Sequence, residues 1–518
     1  MTGGAAWIAV PVLLPLLAAA VLLVLERVAP RAQFAVALVA TLTGLAVALG
    51  LFIQAATGAV GVYLLGNWPA PYGITLVLDR LSALMVVLTA VLALPGLLYG
   101  EARFAQRAPH FRAFFQFELA GLNGAFLTGD LFNLFVCFEL LLIASYALLL
   151  HAAGPRALAT GFRYVVVNLV GSSLFLVAVS LLYGITGTLN LADLAIKVPS
   201  VPPESLGLLR AAGFMLLVVF AIKAAIVPLG YWLPGAYAAA PAPATVLFAL
   251  MTKVGVYAVL RVGSVAFGAD GGALAGLGQD VLFALGVLTI AVAAIGCWAA
   301  RRLGSLAAFL VMLSAGTLMA AVSTGSGATL PGALYYAAHS TFAGALLFLL
   351  ADAIGHQRGD TGDALVTGGS VRQATLLGLL FVFAAAANAG LPPFSGFIGK
   401  LAILEGALGS PAVGWLWAAM LTGGLLATVA LARAGSRVFW KVGSGPGAAA
   451  SLAPLELAAI AVLAACSVAL VLFAAPAQRY AAATAAQLAE PRGYVRAVLG
   501  APPVPGPGAH APPEGVSR

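Results

Sequence analysis

The chain has 518 residues, of which 62% are hydrophobic and only 8% are charged. This composition excludes a soluble globular domain and predicts an all-α protein that crosses the membrane many times. A transmembrane β-barrel is excluded as well, because barrel strands alternate apolar and polar residues, whereas the apolar runs here are long and unbroken.

The net charge of +8 does not indicate nucleic-acid binding, because the basic residues lie mostly in short loops between apolar runs. Cys137, Cys297 and Cys466 are far apart and match no metal or haem spacing. The sequence holds no phosphate-binding glycine loop and no histidine pair with metal spacing. We therefore expect no catalytic site, no cofactor and no metal.

A helix needs about 20 apolar residues to cross a bilayer. By this criterion we predict about fourteen spans, and the first is a retained N-terminal helix. In chain order the spans cover residues 5–25, 33–54, 77–99, 112–129, 131–151, 163–184, 210–229, 242–262, 279–299, 304–324, 331–352, 373–391, 412–433 and 452–476. The longest loops are 55–76 and 185–209, and residues 477–499 are compatible with a surface helix. The Pro-rich tail from Ala501 is predicted to be disordered.

Proline interrupts two of these spans, which continue as short helical segments. Pro228 precedes the segment 230–240, and Pro392 and Pro393 precede the segment 395–410. Such irregular backbone is tolerated in a membrane only where it lines a cavity or lies inside protein. The residues around the breaks resemble each other, FAIKAAIVP against FAAAANAGLPP. Paired broken helices in two halves of a chain indicate a transport site.

A second similarity between the two halves lies upstream of these breaks. Tyr164 and Asn168 are spaced like Tyr335 and His339. The similarity predicts a weak internal repeat.

Four charged residues lie within apolar runs, namely Glu139, Lys223, Lys253 and Lys400. Each costs at least about 2.5–3.5 kcal/mol to place in a membrane, so together they predict a proton or ion path. We expect Glu139 and Lys223 to form a pair that acts as a switch. When the pair opens, the desolvated lysine would release its proton to Lys253 on the next helix.

The rest of the predicted relay lies in the second half of the chain. Lys400 would end it, and His339 lies between Lys253 and Lys400 in sequence and titrates near neutral pH. Glu118 and Glu405 also lie in apolar helices, and each is either a second proton carrier or a subunit contact. Asp79 and Arg80 are predicted to form a clamp at the surface or between helices.

Arginine and lysine in the loops predict the orientation of the chain. One set of loops holds 14 of these residues and the opposite set holds 7, four of which follow the last span. The richer set should face the cytoplasm, which places both termini outside.

Three stretches carry a resemblance to a known family. LNGAFLTGDLFNLFVCFELLLIASYALLLH (122–151), GNWPAPYGITLVLDRLSALM (66–85) and LPPFSGFIGKLAIL (391–404) resemble the D subunit of Mrp-type multisubunit cation/proton antiporters. The superfamily also includes the antiporter-like subunits of respiratory complex I and of membrane-bound hydrogenases. The resemblance covers essentially residues 5–500.

The resemblance implies fourteen helices with two inverted five-helix repeats, in which helices 7 and 12 are broken by proline. It divides the chain into helices 1–3 (1–111), a first repeat of helices 4–8 (112–262), a second repeat of helices 9–13 (263–434), helix 14 with the surface helix (435–500) and the tail (501–518).

The family's proton-relay residues fall on positions already singled out. Its helix-5 glutamate falls on Glu139, its helix-7 and helix-8 lysines on Lys223 and Lys253, and its helix-12 lysine on Lys400. A complex I relative has glutamate at the helix-12 position and a histidine in helix 10. Residues 310–319 hold no histidine, which gives that step to His339 and water.

The resemblance implies a proton-translocating subunit of an antiporter that exchanges Na+ or K+ in a bacterial cytoplasmic membrane, with other membrane subunits as partners. No cluster of carboxylates and hydroxyls indicates a Na+ site, so the cation path can lie in another subunit. Two alternatives stay open. One is a proton-pumping subunit of a redox complex, and the other is a self-sufficient transporter.

The predicted orientation can be checked by labelling in a background without the native cysteines. Arg302→Cys should react with a membrane-impermeant maleimide only from the cytoplasmic side, and Ala485→Cys only from outside. Labelling of both from one side would mean that the number of spans is wrong by one.

Overall fold

The computed structural model describes residues 5–104, 108–151, 155–441, 443 and 451–503. Within these ranges the chain forms nineteen α-helices. Helices suit a membrane because each bonds its own backbone N–H and C=O groups where no water is present. The first ten are α1 Val10–Val28, α2 Gln33–Ala56, α3 Arg80–Arg103, α4 Phe111–Leu127, α5 Leu131–His151, α6 Pro155–Thr186, α7 Leu191–Lys197, α8 Leu206–Lys223, α9 Trp232–Ala239 and α10 Ala242–Val265. The others are α11 Gln279–Ala299, α12 Leu303–Val322, α13 Leu330–Gln357, α14 Ala374–Ala389, α15 Ser395–Gly406, α16 Val413–Gly435, α17 Pro454–Leu472, α18 Ala474–Ala489 and α19 Arg492–Leu499.

The fold class is the predicted one, a polytopic helical membrane protein. In the described ranges twelve helices are long and apolar enough to cross a membrane. The predicted spans 112–129 and 373–391 correspond to α4 and α14, which have 17 and 16 residues and fall below this length. The predicted number of fourteen and the repeat boundaries therefore stay predictions.

Both predicted breaks are present. α8 ends at Lys223, and the chain resumes as α9 only at Trp232, so Pro228 lies between two helices. In the same way α14 ends at Ala389 and α15 begins at Ser395, which places Pro392 and Pro393 in the gap.

One predicted loop contains a small sheet. Residues of the loop 55–76 and the start of the next predicted span form β1 Gly61–Leu64 and β2 Thr75–Leu78, which pair antiparallel with Val62 opposite Val77. The predicted loop 185–209 contains the short helix α7, which Asn190 caps through its side chain. The helix α19 packs against α7 and contacts β1 of the hairpin, and Gln487 of α18 donates to the carbonyl of Gly58 just before the hairpin. We call this side of the molecule the hairpin end.

The arginines of the predicted cytoplasmic loops meet at the other side, which we call the arginine end. Arg103 lies 2.8 Å from Asp352, and Arg302 lies 2.5 Å from Asp363. Arg437 donates to the carbonyl of Leu365, next to these residues. Because α3 runs from Arg80 at the hairpin end to Arg103 with a rise of about 1.5 Å per residue, the two ends are roughly 35 Å apart. Arg107 and residues 504–518 of the predicted tail lie outside the described residues.

The interior is formed by α10, α12 and α13, whose side chains are almost all buried. The outer helices expose large apolar side chains such as Leu17, Ile53, Ile143 and Leu169. In a membrane-spanning protein this apolar surface suits lipid or other subunits. Lys253 on α10 and His339 on α13 therefore lie inside the bundle, away from lipid.

Asp79 forms a clamp between helices, but its partner is Arg261 rather than Arg80, whose guanidinium donates to the carbonyl of Ala56. The Asp79 side chain caps α3 by accepting from the backbone N–H of Ser82, 2.9 Å away. It also binds both terminal nitrogens of Arg261 on α10, at 2.5 and 2.7 Å, and each side chain of the pair is only 3% exposed. The pair fixes the start of α3 against α10.

Asp79→Asn should destabilise the protein by about 3–5 kcal/mol, because it leaves a buried guanidinium without its counter-charge. A matched control is Asp270→Asn, which breaks the exposed pair with Arg492 and should cost about 1 kcal/mol or less. Thermal unfolding of the purified protein measures both. Equal losses in the two variants would contradict the assignment.

Candidate functional site

The first break brings α8, α10 and α11 together. Residues after Lys223 leave the helix, and Ala225 adopts a positive φ of 56°. The backbone N–H of Val227, freed by the break, donates to the hydroxyl of Thr289 on α11 at 2.9 Å. Gly255 of α10 lies against the break so closely that a Cβ atom there would clash with the backbone nitrogen of Ala224. The irregular backbone is thus held inside protein.

Lys223 is buried, and its ammonium group is directed at α6. Its Nζ lies 3.4 Å from the side-chain oxygen of Asn168 and 3.5 Å from the carbonyl oxygen of the same residue. It also lies 3.4 Å from the hydroxyl of Ser172. All of these partners are neutral oxygens.

Glu139 and Lys223 do not form the direct ion pair expected from the sequence. Glu139 is half-buried on α5 and accepts a hydrogen bond from the hydroxyl of Ser172. Because Ser172 also contacts Lys223, the serine connects the two residues. The expected pair is therefore corrected to a chain of carboxylate, hydroxyl and ammonium, in which α6 stands between α5 and α8.

Lys253 lies on α10 and is buried. Its Nζ donates to the carbonyl of Ala249 at 2.9 Å and to the hydroxyl of Ser314 on α12 at 3.2 Å. Ser314 belongs to the stretch 310–319, which holds no histidine. In this helix a hydroxyl is therefore the group that contacts the lysine.

Lys400 is held by the second break. Its Nζ donates to the carbonyl of Ala389 at 2.8 Å and lies 3.4 Å from that of Asn388, both at the end of α14. Gly390 ends α14 with a φ of +79°, and a Cβ atom there would lie 2.9 Å from the Nζ of Lys400. A glycine at this position therefore allows both the turn and the approach of the lysine.

His339 lies on α13, which packs against α10 and α15, the helices that carry Lys253 and Lys400. Its Nδ1 is 2.8 Å from the hydroxyl of Ser395 at the start of α15. It interacts electrostatically with both Lys400 and Lys253. Asn168 and His339, aligned by the predicted repeat, thus contact the first and the second broken helix respectively.

The two remaining carboxyl groups lie in different places. Glu118 on α4 is fully buried, and neither of its carboxyl oxygens has a hydrogen-bond partner among the described residues. Glu405 is exposed near the end of α15, next to the exposed side chains of Leu401 and Leu408. Its role as a carrier or a subunit contact stays a prediction.

Sequence reasoning missed the hydroxyl groups that contact the buried lysines and the first break. Ser172, Thr289 and Ser314 each contact a lysine or a break, yet serine and threonine are common in apolar helices and carry little signal alone. The only signal is that Asn168 and Ser172 are four residues apart, which places both on one face of α6.

The structure connects Glu139 to Lys223 through the hydroxyl of Ser172. Lys253, His339 and Lys400 each lie against their own neutral hydroxyl or carbonyl oxygens. In the described part of the chain, no group of three or more His, Cys, Asp or Glu side chains is placed to hold a metal ion.

Comparison with known proteins identifies the family. Residues 128–427 match the family described as "NADH:quinone oxidoreductase/Mrp antiporter, TM". The chain belongs to this family. The resemblance to the D subunit of the antiporters is confirmed by a protein of Rhizobium meliloti (strain 1021), which is named as the D subunit of a probable K(+)/H(+) antiporter. The two sequences are 42% identical over 95% of this chain and 97% of the Rhizobium protein. The D subunit of the Na(+)/H(+) antiporter of Bacillus subtilis (strain 168) is 37% identical over 77% of this chain and 80% of its own.

Solved structures agree with the fold. A chain of the Mrp complex from Dietzia sp. DQ12-45-1b superposes with a TM-score of 0.85 at 27% identity, covering 96% of this chain and all of that one. A chain of the archaeal membrane-bound sulfane sulfur reductase superposes with a TM-score of 0.87 at 26% identity, over 95% and 99% of the two chains. The chain is therefore an antiporter-type membrane subunit, and its structural relatives belong to multisubunit complexes.

The connection through Ser172 can be tested by Ser172→Ala. Hydrogen bonds to charged groups contribute about 1.5–3 kcal/mol, so cation/proton exchange should slow about tenfold or more if this link is used. The matched control is Ser173→Ala, because the neighbouring hydroxyl is exposed and bonds only the carbonyl of Leu169 in its own helix. Equal rates in the two variants would remove Ser172 from the path.

Proposed function

We propose that the chain is the proton-translocating subunit of a multisubunit monovalent cation/proton antiporter. It relays protons through Glu139, Lys223, Lys253, His339 and Lys400 in exchange for Na+ or K+ moved by the complex. The observation that carries this proposal is the environment of the three lysines. Among the described residues none of them lies in an ion pair, and each is bound by neutral oxygens.

Neutral partners matter because they leave both protonation states of a lysine accessible. A carboxylate in contact with a buried ammonium would hold it charged, and burial without any partner would disfavour the charge. Carbonyl and hydroxyl oxygens stabilise the charged form while it lasts, and a hydroxyl can also donate to the neutral amine. A lysine in this setting can therefore accept and release a proton during transport.

The relay would run in the order of the contacts. A proton on Lys223 passes towards Lys253, whose helix presses against the first break through Gly255. Glu139 sets the charge of Lys223 through Ser172, so a change at Glu139 alters the tendency of Lys223 to release its proton. His339 is carried by α13, which packs against the helices of Lys253 and Lys400, and Lys400 would complete the path through the second half of the bundle.

The cation and the partners follow from the relatives. The Rhizobium protein is named for K+ and the Bacillus protein for Na+, so we propose a monovalent cation without choosing between them. The other membrane subunits of the complex would cover part of the exposed apolar surface, and lipid the rest. We place the complex in the bacterial cytoplasmic membrane, with the arginine end facing the cytoplasm and both termini outside.

The alternative is a proton-pumping subunit of a redox complex. It is favoured by the likeness to the sulfane sulfur reductase, an archaeal respiratory membrane complex. Purification of the chain from its native membrane separates the two. Small membrane subunits should accompany an antiporter, whereas flavin and iron–sulfur subunits would accompany a redox complex.

Lys400 decides whether the two halves of the chain form one path. If they act in series, Lys400→Ala should stop ΔpH-driven Na+ or K+ exchange in everted vesicles as fully as Lys223→Ala. Lys400→Arg should also fail, because arginine does not release its proton at accessible pH. Lys441→Arg, which changes an exposed lysine at the arginine end, is the control and should keep the normal rate.

If Lys400→Arg is active, the positive charge of Lys400 is sufficient and its deprotonation is not part of the path. The exit of the proton would then have to lie at His339 or Glu405.

A further inference from the structure

Glu118 is a buried carboxyl group that the relay described above does not use. It lies on α4 with no exposed surface, and both of its oxygens lack a partner in the described residues. An isolated carboxylate in an apolar interior is costly. A role in binding a proton and passing it on would explain why a carboxyl group occupies this position.

Two other unpartnered polar groups lie on a cluster of rings within electrostatic range of this carboxyl. Glu118 interacts electrostatically with Tyr237 of α9 and Tyr164 of α6. The ring of Trp232 lies between the two tyrosines, 4.9 Å from that of Tyr164 and 5.9 Å from that of Tyr237. The indole nitrogen of Trp232 and the hydroxyl of Tyr237 are buried without a partner among the described residues, like Glu118 itself. Unsatisfied buried groups in one place indicate a bound water or ion.

A cavity connects this region with the arginine end. It has a volume of about 230 Å³ and is lined by Arg103, Tyr237, Thr245, Asp352, His356 and Asp363 among others. Tyr237 is the shared element, because it lines the cavity and also lies within electrostatic range of Glu118. A proton that reaches the cavity from water at the arginine end is therefore next to Tyr237, which lies within electrostatic range of Glu118.

A second set of contacts leads from Glu118 to Glu139. The hydroxyl of Tyr164 lies 2.8 Å from that of Ser145 on α5. The ring of Tyr146 packs 5.1 Å from that of Tyr164, and Tyr146 interacts electrostatically with Glu139. Hydroxyl groups therefore lie along the way from the Glu118 region to the first residue of the relay.

We propose that Glu118 is a proton-binding site that supplies Glu139 from the arginine end, with Tyr237 on the cavity side and Tyr164 and Tyr146 on the other. The idea rests on the proposed function, since it adds an uptake route to that relay. A proton from cavity water binds the Glu118 carboxylate to give the neutral acid. Glu118 then gives this proton to a hydroxyl, each hydroxyl passes its own proton on, and the carboxylate of Glu139 takes the last one.

The ligand is a proton rather than a metal cation because of the groups that surround the site. The indole N–H of Trp232 is a donor without acceptor capacity, which suits a carboxylate or a water oxygen and repels a cation. The helices packed against α4 also carry buried titratable groups, which include Tyr99, Cys137, Lys253, Tyr257 and Arg261. The contacts of Arg261 and Lys253 are directed at Asp79 and at Ser314 respectively, not at Glu118.

The test uses the full antiporter complex in everted vesicles. A general acid–base group typically speeds a proton-transfer step by about 100-fold or more. Protons that reach Glu139 through other hydroxyl groups would make the loss smaller, so Glu118→Gln should slow exchange by about tenfold or more. Tyr237→Phe keeps the ring and removes the hydroxyl, and it should also slow exchange. Tyr480→Phe is the matched control at the hairpin end, where the hydroxyl only donates to the carbonyl of Arg80. It should leave the rate within about twofold of normal, as expected for a residue outside the path.

Two further readouts separate a proton site from a structural role. Infrared difference spectra between two pH values should contain a protonated-carboxyl band that Glu118→Gln removes. Thermal unfolding of this variant should match that of the unchanged complex, because glutamine has the same shape. A normal rate in Glu118→Gln, or a slow rate accompanied by loss of stability with an unchanged infrared band, would overturn the proposal.

Comparison of the variants separates failure of the uptake route from failure of the proposed function. If the complex with Glu118→Gln does not assemble, the rate of Tyr237→Phe tests the proposal instead. A Tyr237→Phe rate equal to that of Tyr480→Phe would then overturn it. Normal exchange in Lys223→Ala would instead refute the proposed function. Loss of exchange in Lys223→Ala together with a normal rate in Glu118→Gln would refute the uptake route alone.

Discussion

An ammonium group inside an apolar helix bundle needs oxygen atoms around it, and this requirement organises the centre of the molecule. Lys223, Lys253 and Lys400 each obtain those oxygens from neutral groups. Arg261 has a charged partner instead. That residue binds Asp79 in a buried, bidentate pair that fixes two helices, whereas the lysines have no such partner among the described residues and keep their charge adjustable. Buried charge thus serves structure at Arg261, and in the proposed relay it serves proton exchange at the lysines.

The same requirement explains the close packing around the breaks. Backbone that leaves the helix exposes N–H and C=O groups, and these must be bonded inside the protein. Gly255 lets α10 approach the first break, and Gly396 lets α15 approach His339, where a Cβ atom would lie 2.7 Å from the Nε2 of the ring. Small residues therefore bring the helices that carry ionisable groups within reach of the irregular backbone. A larger residue at either position would push these helices away from the first break and from His339.

The sequence predicts the fold class, the breaks and the charged residues, because charge and proline stand out against an apolar background. It does not predict how the charges are connected. The sequence favours a direct contact between Glu139 and Lys223, but α6 passes between them and Ser172 makes the link. The link depends on how three helices pack together, and a serine within an apolar run does not predict it. The hairpin was missed for a similar reason, since its short strands are stabilised by packing at one end of the bundle.

The two breaks hold their lysines in different ways, and the difference bears on coupling. Lys223 is carried at the end of α8, but its oxygens come from α6, a continuous helix. Lys400 is carried by α15, and its oxygens are the carbonyls that end α14. Any movement of the two halves of the second broken helix therefore changes the coordination of Lys400 directly. At the first break the helix must move against α6, where Ser172 also binds Glu139, so the state of the carboxyl group is linked to the position of the lysine. The first half of the chain is thus suited to respond to charge, and the second to respond to helix geometry.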